Sequence, residues 1–105
     1  MKRVIISAAV ILGILIAGNL QAAEKPSASL GKKLFNDPAL GGSDNARSCS
    51  SCHPGGKGLE KAGNNPDLSA IINRCISGPL HGNTIAEDSP EMQSLILYIK
   101  SLHGN

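Results

Sequence analysis

Cys49-Ser50-Ser51-Cys52-His53 is the stretch that decides how this chain is read. Two thiols three residues apart sit about one helical turn from each other, and a histidine follows the second one directly. Cys-x-x-Cys-His is the attachment motif of a c-type haem. Each thiol can add to one of the two vinyl groups of a single porphyrin, and His53 can bind its iron as the proximal ligand. A redox Cys-x-x-Cys belongs beside a βαβ pattern, and a structural zinc site needs a second ligand pair at similar spacing. The sequence offers neither, so one covalent haem c on Cys49 and Cys52 is the cofactor expected.

The start of the chain points to export. Lys2 and Arg3 precede an apolar stretch from Val4 to Ala17, and Asn19-Leu20-Gln21-Ala22-Ala23 follows it, which is the layout of a secretory signal peptide. Residues 1–22 are read as the signal, with cleavage after Ala22 or Ala23, and residues 24–105 as one haem domain in the bacterial periplasm. The apolar run falls short of the ~20 residues that a spanning helix needs, so no stable membrane insertion is expected; an uncleaved anchor is the alternative. Export and haem agree, because haem of this type is attached after export in bacteria.

Losing Lys2 and Arg3 brings the 10 basic residues level with the 8 acidic ones, so the mature domain is near neutral. Phe35 and Tyr98 are its only aromatics. Nucleic-acid binding needs a basic footprint and stacking surfaces, and this chain has neither. A domain of about 80 residues has a thin core of its own. A large planar insert would supply the missing apolar bulk, and the haem-free chain is expected to fold poorly.

Hydrophobic spacing predicts helices and no strand. Ser27 to Asn36 reads as a short amphipathic helix with a serine cap, carrying Leu30, Leu34 and Phe35 on one face and ended by Asp37-Pro38. The glycines and prolines between His53 and Pro66 forbid long regular structure. Asn65-Pro66-Asp67 reads as the start of a second helix, with Leu68, Ile71, Ile72, Cys75 and Ile76 at helical spacing. After a loop from Pro79 to Asp88, Ser89-Pro90-Glu91 opens a closing helix through Met92, Leu95, Ile96, Ile99 and Leu102. The fold class expected is all-α, with three to four short helices wrapped around the haem.

With Gly31 and Phe35 on the first helix, the CxxCH motif next and Tyr98 on the last helix, almost the whole mature chain resembles a class I cytochrome c domain. That resemblance implies crossed first and last helices, with Gly31 and Phe35 against Leu95 and Tyr98. The run Leu30-Gly31-Lys32-Lys33-Leu34-Phe35-Asn36-Asp37-Pro38 also resembles the segment before the first haem motif of bacterial dihaem cytochrome c peroxidases. Asn73-Arg74-Cys75, Gly82 and Ser89-Pro90-Glu91-Met92 resemble the haem domains of thiosulfate dehydrogenases and sulfur-oxidation cytochromes.

Three residues compete for the iron position opposite His53. Met92 is the conventional choice by resemblance to class I domains, but it falls inside the first turn of the closing helix, in phase with core positions. His81 lies in the loop before that helix. Cys75 is the odd cysteine once Cys49 and Cys52 are used, and a free thiol in an oxidising compartment needs a reason to persist. Its plain reading is a small core residue. The matching cysteine of the thiosulfate-oxidising cytochromes is an axial thiolate, and on that resemblance Cys75 is the distal ligand expected here.

The function these readings imply is electron transfer between redox partner proteins by an exported monohaem cytochrome that is not itself an enzyme, with a small-molecule substrate not expected. The rival is a haem subunit or enzyme of thiosulfate oxidation, or a peroxidase-related haem protein. For that rival the sequence supplies Cys75, His81 and Arg74 and no acid–base pair fixed by spacing. A haem-based sensor lacks an output domain in this sequence. Lys57 and Lys61 read as a solvated face, and His103 as a C-terminal helix residue favoured by the macrodipole.

Overall fold

A computed structural model of the chain describes residues 25–103. The export-signal reading of residues 1–22 lies outside them. The described residues form four α-helices, α1 (Ala28–Phe35), α2 (Cys49–Cys52), α3 (Leu68–Ser77) and α4 (Pro90–Lys100), joined by turns of 3-10 helix and without a strand. The all-α expectation holds.

Local chemistry sets the ends of α1 and α4. Ser27 has extended backbone and its hydroxyl accepts the Leu30 N–H at 2.9 Å, which satisfies one of the donors a helix start leaves free. Lys32 and Lys33 fall in the last turn of α1, where cations suit the dipole. In α4 the Ser89 hydroxyl accepts the Met92 N–H at 3.1 Å, Pro90 opens the helix and Glu91 lies in its first turn. The two helices pack on each other at several levels. The Ser27 N–H donates to Ser94 Oγ at 3.0 Å, and the Phe35 and Tyr98 rings meet edge to face with centroids 5.1 Å apart.

The start of α3 differs from its sequence reading by two residues. Asn65 Oδ1 accepts the Asp67 N–H at 2.8 Å, so Asn65 closes an Asx turn instead of capping the helix. Pro66 and Asp67 form that turn and the helix begins at Leu68. From α3, Leu68, Ile72 and Ile76 join Phe35, Met92, Leu95, Tyr98 and Ile99 in the core. Full burial of a side chain such as Ile76 is worth about 1.5–3 kcal/mol.

The loop after α3 is tied down at both sides. Asn73 donates from Nδ2 to the Ile85 carbonyl and accepts the Ile85 N–H on Oδ1, both at 2.9 Å. The Asn83 N–H donates to the Gly41 carbonyl at 2.7 Å, and the Ser43 hydroxyl donates to the Leu80 carbonyl. These bonds hold Leu80 in the core and place Pro79 and Leu80 in the wall of the cleft described next.

Candidate haem site

A cleft of about 830 Å³, counting its mouth open to solvent, receives side chains from all four helices. Its lining is overwhelmingly apolar: Phe35 from α1, Ile72 from α3, and Leu95 and Ile99 from α4 contribute, with Leu59 from the intervening loop. Cys49, Cys52, His53 and Cys75 all line the same cleft. Four residues chosen from the sequence for one chemistry are therefore brought to one cavity.

Cys49 and Cys52 are the two ends of α2, a single turn of helix. Ser48 precedes it with extended backbone, and its N–H donates to Ser51 Oγ at 3.0 Å. The turn leaves Cys49 half-buried and Cys52 exposed. The Cys49 thiol is pushed up to about 11, first by burial and then by the nearby Cys75 sulfur, against an opposing backbone hydrogen bond, with Cys52 adding least.

His53 ends that turn, and its ring is held from behind. Nδ1 lies 3.0 Å from the Lys57 carbonyl oxygen. A carbonyl only accepts, so Nδ1 carries a proton, and in the neutral ring Nε2 keeps its lone pair. This is the arrangement by which a backbone carbonyl orients a metal-binding histidine and fixes its tautomer. The motif and its spacing do not say which carbonyl takes this role, and the structure gives it to Lys57. The cause is the tight path of the chain: Gly55, Gly56 and Gly58 have φ of 63°, 83° and 93°, which turns the Lys57 carbonyl back to the ring. Gly56 packs where a Cβ would lie 2.5 Å from a Leu102 methyl, fixing the turn against the end of α4. Glu60 braces it further by accepting the Gly58 N–H on both carboxylate oxygens, at 3.1 and 3.2 Å. Its carboxyl is held below the usual range, first by its own backbone N–H and then by that of Gly58.

The three candidates for the second axial position separate clearly. Met92 is fully buried in the core and does not line the cleft. His81 is exposed, has a φ of 56°, and is also outside the lining. Cys75 lines the cleft and is exposed, so its plain reading as a buried core thiol does not describe its position. The α3 face read as one stripe grades in burial: Leu68, Ile72 and Ile76 are buried, Ile71 is half-buried and Cys75 is exposed, and all of these but Ile76 line the cleft.

The donor set fits a c-type haem on these observations: two thiols on one helical turn, an imidazole with a free Nε2, and an apolar cavity around them. The fold and the site together define a small all-α haem-binding domain. The model of the family described as di-haem cytochrome c peroxidase matches residues 25–98, and the chain belongs to that family. No curated protein and no solved structure matches it. The family's name specifies two haems, and the sequence contains a single CxxCH. No helix among the described residues is long and apolar enough to cross a membrane.

Proposed function

We propose that the chain is an exported class I type, monohaem member of this family that passes single electrons between redox partner proteins in the periplasm. The observation that carries this reading is the His53 Nδ1 contact to the Lys57 carbonyl, which presents Nε2 beside two cysteines in an apolar cleft. The bound haem would supply one-electron redox chemistry. The chain's residues do the rest: Cys49 and Cys52 tether it, His53 binds and orients, and Leu59, Leu68, Ile72, Leu95 and Ile99 exclude water. Cys75 is assigned the distal position because it alone of the three candidates lines the cleft. The carrier reading is favoured over catalysis because no carboxylate and no imidazole besides His53 line the cleft among the described residues.

Mass spectrometry of protein made in a host with cytochrome c maturation tests this reading. The expected mass is that of the chain cleaved after Ala22 or Ala23 plus one haem, and the haem should resist extraction by acidified solvent. An extractable haem would overturn covalent attachment. The family match favours a second reading, a peroxidase-related haem protein or subunit, with thiosulfate oxidation as its sulfur counterpart. Steady-state turnover of peroxide or thiosulfate by the purified protein would establish it in place of the carrier; reversible one-electron titration without turnover is the result expected.

A further inference from the structure

Asn65 belongs to two cavities at once. It lines the haem cleft, and it also lines an adjoining surface cavity of about 620 Å³, counting its open mouth, whose only charged residue is Lys100. The Lys100 stem lies against the turn before Asn65, since a Cβ on Gly63 would come within 2.9 Å of Lys100 Cγ. The amide of Asn65 has its orientation fixed. The Asp67 N–H can only donate, so the atom it meets at 2.8 Å is the oxygen, and Nδ2 is the end left over. Among the described residues no acceptor meets that Nδ2. Ser48, the hydroxyl of the lining, is paired with the Ser50 hydroxyl at 2.7 Å, and the His53 Nδ1 proton is used by Lys57. Asn65, exposed at the edge of the cleft, is thus a polar side chain of the lining whose amide donor meets no protein acceptor.

An apolar cavity with one free amide donor at its edge and a cation just beyond suits a flat apolar ligand that ends in carboxylates. We propose that Asn65 Nδ2, backed by the Lys100 ammonium, anchors a propionate carboxylate of the haem, so that the acidic edge of the haem faces residues 63–66. This rests on the haem reading above. A charge-assisted hydrogen bond of this kind is stronger than a neutral one. Asp67, the nearest acidic residue in sequence, lines neither cavity, and Glu60, which shares a further cavity with Lys100, accepts the Gly58 N–H on both oxygens.

Asn65→Asp tests it, because the variant keeps an oxygen for the Asp67 N–H, removes only the donor and places a like charge at the site. The readouts are the propionate bending band in the resonance Raman spectrum and the midpoint potential of the purified holoprotein. The band should shift and the potential fall in Asn65→Asp. Lys100→Gln, which leaves the turn intact, should move the potential the same way, whereas Lys33→Gln on α1 should not. An unmoved band in Asn65→Asp overturns the inference, as does an equal fall in potential in Lys33→Gln, which would show a net-charge effect only. Either result with covalent haem present leaves the haem reading standing; wild-type protein without covalent haem overturns both.

Discussion

A Cβ built on Gly31 would lie 1.9 Å from the carbonyl oxygen of Ser94 and 2.8 Å from Cβ of Tyr98. Helix α1 thus rests on the backbone of α4 at a point where no side chain fits, and the Ser27–Ser94 bond and the Phe35–Tyr98 ring pair flank that contact. The clash is with backbone, which cannot rotate away. Gly31→Ala should therefore cost stability at or above the usual 1–3 kcal/mol of overpacking, about 3 kcal/mol, measured by denaturant unfolding of the holoprotein. A variant as stable as the wild type would show that the two helices can part without loss.

Asn73 clamps the loop after α3 with two bonds to one residue, Ile85. Asn73→Ala removes both partners at once and leaves the Ile85 groups to find water. A loss of about 1–3 kcal/mol is expected, together with faster hydrogen exchange at the Ile85 amide. Exchange unchanged at Ile85 would mean that the Asn83–Gly41 and Ser43–Leu80 bonds hold the loop alone.

Where the haem-free chain folds, it shields the Cys49 thiol. With the Cys49 thiol pushed up to about 11 from 9.0, its thiolate at pH 8 is about a hundredfold scarcer than for an unperturbed thiol. Alkylation at pH 8 should label Cys52 before Cys49, read by peptide mass spectrometry. Because the folded value lies above the unfolded one, the stability linked to Cys49 is present below pH 9 and is lost as pH rises toward 11. Equal labelling of the two would show that Cys49 is not shielded by the fold.

Much of this was legible in the sequence, and the reasons are local. The serine caps at Ser27 and Ser89 and the spacing of Leu68, Ile72 and Ile76 are signals carried by neighbouring residues, and each helix they mark is present. The likeness of Leu30 to Pro38 to dihaem peroxidases agrees with the family match. What sequence spacing could not give is which groups meet across turns. Three glycines in left-handed conformation between Gly55 and Gly58 choose Lys57 as the carbonyl behind His53, and residue spacing alone does not encode that path. Asn65 looked like a helix cap because Pro66 and Asp67 follow it; the Asx turn uses the same residues with the helix two positions later. Ile71 and Cys75 shared a helical period with core residues, and only their exposure in the fold sets them apart.

Cys75 and Met92 carry the most exposed part of the proposal. Cys75 lines the cleft, whereas Met92 has no solvent exposure and packs in the core. With Cys75 as an anionic distal ligand, the ferric protein should be low-spin and its potential should lie well below that of a His/Met cytochrome, since a thiolate favours the more positive iron. Cys75→Ala should then change the spectrum and raise the potential. Met92→Ala should leave both nearly unchanged while costing about 2–5 kcal/mol through the cavity it opens. The reverse pattern, a far-red sulfur-to-iron band in the wild type that survives Cys75→Ala and vanishes in Met92→Ala, would assign the ligand to methionine. It would also require the first turn of α4 to unwind, because Met92 is held there by its N–H bond to Ser89 Oγ at 3.1 Å. A spectrum that responds to Cys75→Ala and not to Met92→Ala is the outcome that the cleft geometry supports.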